Sequence, residues 1–190
     1  MKEIFGILLA AGSSKRFGSH KLLQPLPSGV LLGMAAARNL ITAIPHSLAV
    51  IRPGDQTLAA GFTALGLEVI ENPHANDGMG SSLAMAVTAA GDAAGWVIAL
   101  ADMPWIQPQT TGSLAHELRR GASLVAPVHQ GRRGHPVGFH RKWRSQLQAL
   151  SGGQGARDLL IEHCAELTLQ QTDDTGVLLD VDQPVDLHRK

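Results

Sequence analysis

Short, almost unbroken apolar runs alternate along the chain with longer stretches whose apolar positions recur every three or four residues. The runs predict strands at Ile4–Leu9, Leu48–Ile51, Leu67–Ile70, Trp96–Ala101, Ser123–Pro127, His135–Phe139, Leu167–Gln170 and Val177–Leu179. The periodic stretches predict helices at Val30–Ala43, Gln56–Leu65, Met79–Ala90, Pro108–Arg120, Arg141–Leu150, Gly155–Cys164 and Pro184–His188, with Pro45 stopping the first. Strands alternating with helices imply βαβ units and a mostly parallel sheet covered by helices on both faces, an α/β fold of three layers, α/β/α. Chemistry in such sheets sits beyond the carboxyl ends of the strands, so the loops after Leu9, Ile70, Leu100 and Leu179 are the places to search.

Composition narrows the function classes. The 190 residues are 44% hydrophobic and 17% charged, as expected of one globular domain with a sizeable core. Lys+Arg and Asp+Glu are both 16, and there are four Phe, three Trp and no Tyr. A neutral, aromatic-poor chain argues against a nucleic-acid partner. No apolar run approaches the roughly 20 residues of a membrane span. The run Ile4–Ala11 is short for a signal peptide, is preceded by Lys2-Glu3 and leads into a Gly-rich basic loop, so a strand is the better reading. The single cysteine, Cys164, asks for no oxidising compartment, and a cytoplasmic protein is expected.

Candidate chemistry begins in the loop Ala10-Ala11-Gly12-Ser13-Ser14-Lys15-Arg16-Phe17-Gly18-Ser19-His20-Lys21. Small residues let backbone N–H groups approach an anion, Ser13 and Ser14 add hydroxyls, and Arg16 and Lys21 add charge suited to a polyphosphate. The spelling is neither a P-loop, since five residues separate Gly12 and Gly18, nor a G-x-G-x-x-G fingerprint. Asp102 ends a buried strand and faces the ligand crevice, where a carboxylate calls for a cation; magnesium takes one or two carboxylates plus phosphate oxygens. A turn or capping aspartate is the competing reading. Gly78-Met79-Gly80-Ser81-Ser82 opens a helix with N–H and hydroxyl donors, again shared with ordinary capping. Arg133 and His135 lie on a Gly-flanked turn, within a basic stretch whose Arg141, Lys142 and Arg144 read as a solvated edge.

The string Leu9-Ala10-Ala11-Gly12-Ser13-Ser14-Lys15-Arg16-Phe17-Gly18-Ser19-His20-Lys21 resembles the signature loop of the MobA-like nucleotidyltransferase superfamily. Its Ala11 looks most like the molybdenum cofactor cytidylyltransferases, since guanylyltransferase relatives usually carry a second Gly there. Leu100-Ala101-Asp102-Met103-Pro104, Gly131-Arg132-Arg133-Gly134-His135-Pro136 and Asp180-Val181-Asp182-Gln183-Pro184 resemble further motifs of that family, in the same order.

The resemblance implies a Rossmann-like nucleotidyltransferase fold over residues 1–190, with a nucleotide-binding N-terminal half and an acceptor-binding C-terminal half. It implies CTP held by Leu9, Ala10, Ala11, Gly12, Ser13, Ser14, Arg16, Lys21, Gly78, Ser81 and Ser82. Arg16, Lys21 and Asp102 would be catalytic. Mg²⁺, or Mn²⁺ in its place, would be held by Asp102 with Asp180 or Asp182, and Asp180 is favoured by the motif. Asp180 and Asp182 alternate along the chain and point to opposite faces, and Asp182 also reads as a cap for the helix at Pro184. Molybdenum-molybdopterin would be bound by Arg133, His135 and Arg157, the last on Ser151-Gly152-Gly153-Gln154-Gly155-Ala156-Arg157. Gly80 stands where many members have Ser, and Gln183 and Val185 replace the usual Thr and Glu.

The implied reaction is CMP transfer: an acceptor phosphate oxygen attacks the α-phosphorus of CTP and expels pyrophosphate, with no protein nucleophile. A molybdenum hydroxylase or its chaperone would receive the product. Alternatives are a GTP-using or sugar-phosphate- or lipid-precursor-using transferase, and a non-catalytic cofactor carrier. Trp105 is read either as stacking a pterin or as packing, and Cys164 as a small, partly buried residue.

Overall fold

A computed structural model of the chain describes residues 3–12, 17, 20–153 and 155–188. Eight strands form one sheet: β1 (Ile4–Leu9), β2 (Ser47–Ile51), β3 (Glu68–Glu71), β4 (Gly95–Leu100), β5 (Leu124–His129), β6 (Arg132–Arg133), β7 (Val137–His140) and β8 (Leu167–Gln171). Among the described residues six α-helices accompany them: α1 (Leu32–Ala43), α2 (Gln56–Ala64), α3 (Met79–Ala89), α4 (Pro108–Arg119), α5 (Arg144–Gln148) and α6 (Arg157–Glu162).

The order β3-β2-β1-β4-β7-β5 places β1 at the centre, parallel to β2 and β4. β5 is flanked by β7 and β6 on one side and by β8 on the other. The sheet is mostly parallel as expected; β6 and β7 alone run against the rest. β7 returns antiparallel between β4 and β5, so the two parallel blocks are joined through it.

Alternate side chains of the central strands feed two cores. Ile4, Leu8, Val97 and Ala99 pack with Leu40 of α1, Phe62 of α2 and Leu114 of α4. Ile7, Leu9, Trp96 and Ile98 pack on the opposite face with Leu83 and Val87 of α3, Leu147 of α5 and Leu160 of α6. β2 is buried at every position, which is why it reads as an unbroken apolar run. The edge strand β3 instead carries Glu68 and Glu71 at its ends, charges that discourage further pairing. Asp55 starts α2 by accepting from the Leu58 N–H at 3.3 Å, and Pro108 opens α4. Among the described residues no helix is long and apolar enough to cross a membrane.

Four expected elements differ. Val177–Leu179 is not a strand: Thr175–Leu178 forms a 3₁₀ turn, and the apolar run reflects the burial of Val177. Arg141–Leu150 divides into a 3₁₀ turn, Arg141–Trp143, and α5; the buried Trp143 donates from its indole Nε1 to the Ser123 carbonyl at 3.1 Å. Gly155–Cys164 shortens to α6, and Pro184–His188 is 3₁₀ rather than α.

Candidate active site

Parallel strands β1, β2, β3 and β4 end on one side of the sheet, and the loops that follow all four meet there. They enclose a cavity of about 330 Å³ lined by Leu9, Ala10, Ala11 and Gly12 after β1, Arg52 after β2, Asn76, Gly78 and Ser82 after β3, and Asp102 after β4, with Lys21 beside it. A second cavity of about 400 Å³ adjoins it, and Leu9, Met79 and Leu100 line both. Its polar groups are Arg133, His135 and Arg157, set over an apolar floor of Leu83, Ile98, Val137 and Leu160.

Asp102 lines the first cavity, and its charge acts on His135 of the second. The turn that carries it is braced from α1, where the Asn39 amide donates to the Pro104 carbonyl at 2.8 Å. The Lys21 ammonium donates to Asp102 Oδ2 at 2.9 Å and lies 3.8 Å from Asp182 Oδ1, so the middle and the tail of the chain share one cation. The Val181 N–H donates to the Asp102 carbonyl at 3.0 Å, which docks the tail against β4. Val181 is fully buried between the two aspartates; Asp182 faces Lys21, whereas Asp180 acts on His135.

The basic motif is held against the same tail. The His135 N–H donates to the Val177 carbonyl at 2.9 Å, and a Cβ at Gly134 would lie 2.3 Å from that carbonyl oxygen. Among the described residues the buried Nδ1 of His135 has no hydrogen-bond partner. Burial lowers the pKa of this imidazole below its ordinary value and Arg133 adds to the lowering, while Asp102 and Asp180 pull it back up. The ring is therefore neutral near pH 7 and can accept or donate one hydrogen bond to a ligand in the second cavity.

The start of α3 is shaped by close packing. Gly78 has φ 111°, and a Cβ there would lie 2.4 Å from the Gly152 carbonyl; a Cβ at Gly80 would lie 2.7 Å from the Ser151 backbone. The Gly80 N–H donates to the Gly152 carbonyl at 2.9 Å. The segment 151–153 thus lies directly on the Gly78-Met79-Gly80 turn, which explains Gly80 in place of Ser. Buried Asn72 organises the two serines, donating to Ser81 Oγ at 3.0 Å and Ser82 Oγ at 2.9 Å. Ser82 lines the first cavity; the Ser81 hydroxyl is turned to the His74 and Gly78 carbonyls and lines neither cavity.

The geometry brings together Leu9, Ala10, Ala11, Gly12, Lys21, Gly78, Ser82 and Asp102 in the first cavity and Arg133, His135 and Arg157 in the second. Ser13, Ser14 and Arg16 lie outside the described residues. Trp105 packs against the α1 side of the core rather than lining a cavity, and Cys164 is exposed rather than partly buried. Arg141 pairs with Asp92 at 3.1 Å and Lys142 pairs with Glu166, as a solvated basic edge does. Arg52 and Asn39 belong to no motif. The strand order supplied the missing signal for Arg52: β2 lies between β1 and β3, so its loop has to enter the same crevice.

Among the described residues no group of three or more His, Cys, Asp or Glu side chains is placed to hold a metal. Asp102 and Asp182 nonetheless reach one shared ammonium, and two hard oxygen donors suit an ion that keeps several waters and phosphate oxygens as its other ligands.

A family model described as the MobA-like NTP transferase domain matches residues 6–167. The chain belongs to the MobA-like NTP transferase family. The match ends before Asp180 and Asp182, so their place beside the site rests on the packing of the tail just described. The chain is 29% identical to nicotine blue oxidoreductase of Paenarthrobacter nicotinovorans, over 98% of this chain and 95% of that one. It is 28% identical to a probable molybdenum cofactor guanylyltransferase of a Geobacillus strain, over 86% and 84%. The fold is that of the Mycobacterium tuberculosis H37Rv protein Rv0371c, with TM-score 0.84 at 24% identity over 97% and 95% of the chains; its manganese complex gives 0.78.

Proposed function

We propose that the protein transfers CMP from CTP to molybdenum-molybdopterin, forming molybdopterin cytosine dinucleotide and pyrophosphate. The observation that carries this reading is the pair of adjoining cavities that share Leu9, Met79 and Leu100, with Asp102 lining one and acting on the other. The first has a glycine-bearing loop with Lys21 at hand for a triphosphate; the second has two arginines and a neutral histidine over an apolar floor, suited to a phosphorylated heterocycle.

Asp102 and Asp182, rather than the Asp180 favoured by the motif, would hold Mg²⁺ or Mn²⁺, because Asp182 shares Lys21 with Asp102; the mycobacterial protein of this fold is known as a manganese complex, which favours a divalent ion. The ion, when bound, supplies charge neutralisation on the phosphates. Lys21 neutralises further charge, and Arg133 and Arg157 orient the acceptor phosphate. That group is largely ionised near neutral pH, with a second pKa of about 6, so no side chain has to deprotonate it. Catalysis is then positioning and electrostatics.

The name of the Geobacillus relative favours a second reading, with GTP as donor. Ala11, where guanylyltransferases usually have Gly, supports CTP. Pyrophosphate release from CTP and from GTP, each with molybdenum-molybdopterin, tests both. Acceptor-dependent release from CTP alone is expected, and release from GTP alone would overturn the cytidylyl assignment. Acceptor binding without turnover on either nucleotide would leave only a carrier role. Arg133→Ala should raise the KM for the acceptor more than that for CTP, and the reverse would reassign that loop to the nucleotide.

A further inference from the structure

Arg52 lines the nucleotide cavity from the end of β2, between the loops of β1 and β3. Its Nη1 donates to the Ala11 carbonyl at 3.2 Å, and its Nη2 donates to Oδ1 of Asn76. We propose that Arg52 is a positioning residue that preorganises the nucleotide site by tying the loop after β1 to the turn before α3. The inference rests on the nucleotide reading above.

The Ala11–Gly12 peptide needs such a tie. A trans peptide is planar, with its carbonyl and the following N–H on opposite sides, so fixing the Ala11 carbonyl fixes the direction of the Gly12 N–H. Gly12 has no side chain of its own to anchor, and apart from its chain neighbours no atom among the described residues lies within 4 Å of where a Cβ would sit. Ala11 is buried in the core, so packing holds that residue on one side of the peptide, and the hydrogen bond from Arg52 fixes the direction of its carbonyl. Its second bond reaches Asn76, an exposed residue of the 3₁₀ turn Ala75–Asp77 that leads into α3. One planar guanidinium thus spans two walls of the cavity. A lysine could place a charge there but, as a point donor on a flexible stem, could not span both. Holding both walls before the ligand arrives lowers the ordering cost of binding.

The test is calorimetric titration with CTP and with GTP of wild type, Arg52→Lys, Arg52→Met, Asn76→Ala and the Arg52→Lys/Asn76→Ala pair, with thermal unfolding of each. Both Arg52 variants should bind the nucleotide about tenfold more weakly, the scale of a charge-assisted hydrogen bond. Asn76→Ala should weaken binding in wild type but add less than about twofold in the Arg52→Lys background, the non-additivity of one shared bridge. Melting temperatures and the acceptor KM should stay at wild-type values. Wild-type affinity in Arg52→Lys would reduce the role to charge alone and overturn the bridge. Additive losses, or affinity losses that track lowered melting temperatures, would overturn it as well. If wild type binds nucleotide and the variants bind equally, only this inference fails. If wild type binds neither CTP nor GTP, the proposed function fails and this inference with it.

Discussion

The Lys21 ammonium lies 2.9 Å from the Asp102 carboxylate, although 81 positions separate the two residues in the chain. The contact joins the two parts of the proposed chemistry, a cation for phosphates and a carboxylate for a metal. Asp102→Asn should remove turnover while the circular dichroism spectrum stays that of the wild type. Lys21→Met should lower turnover by about 100-fold, the scale of losing one transition-state charge contact, and should also weaken CTP binding. Steady-state pyrophosphate release measures both. Turnover at the wild-type level in Asp102→Asn would remove the metal assignment.

Gly80 gives a prediction that runs against the residue common in similar chains. A Ser at this position must place its Cβ 2.7 Å from the Ser151 backbone, so segment 151–153 has to move off α3. Gly153 lines the first cavity and Arg157 the second, which adjoins it. Gly80→Ser should therefore raise the KM for both substrates and lower the melting temperature, by overpacking worth about 1–3 kcal/mol. A thermal melt and two KM determinations check this; an unchanged melt would mean the 151–153 segment yields freely.

His135 sets a pH dependence of stability. Burial holds its pKa below the ordinary imidazole value in the fold, with Arg133 acting the same way and Asp102 and Asp180 opposing. The unfolded chain therefore binds the proton more readily than the folded one, and stability is full above the unfolded value of about 6.5. It is lost as the pH falls from there through the lowered value. His140, also lowered by burial and by Arg141 and Lys142, contributes in the same direction. The melting temperature should hold from pH 8 to 7 and fall below about pH 6.5, and His135→Gln should flatten part of that fall. An equal fall in wild type and His135→Gln would contradict this account.

Much of this fold was legible because burial on both faces leaves strands such as Leu48–Ile51 and Trp96–Leu100 unbroken in apolar residues. Local pattern misled at Val177, whose apolar neighbours serve a 3₁₀ turn that offers its carbonyl to His135. The two-residue β6 is too short for any periodicity to show. In the site, Gly12, Lys21, Asp102, Arg133 and His135 stand in strings whose residue types already point to phosphate and metal chemistry. Arg52 and Asn39 stand in none, because their roles are to bond backbone carbonyls that only the tertiary structure brings near. The sharing of Lys21 between Asp102 and Asp182 was likewise invisible, since it depends on the tail docking through Val181.

Asp174 ties the start of that tail to α4. α4 begins at Gln107-Pro108 with no side-chain cap from Gln107, and the carboxylate of Asp174 holds its first turn instead. It accepts from the Gln107 N–H and from Thr110 Oγ1, both at 2.8 Å, and its other oxygen accepts from the Gly176 N–H at 3.0 Å. The group is buried, so its removal leaves three donors without a partner. Asp174→Ala should cost about 2–4 kcal/mol, lowering the melting temperature by about 5–15 °C. Asp174→Asn keeps one acceptor oxygen and should cost less. Because the carboxylate touches neither cavity, turnover well below the melting temperature should fall less in these variants than in Lys21→Met. The tail it anchors carries Asp182, however, so the concentration of Mn²⁺ giving half-maximal activity should rise in Asp174→Ala. A large fall in melting temperature with that concentration unchanged would show that the Val181–Asp102 and His135–Val177 bonds hold the tail in place without Asp174.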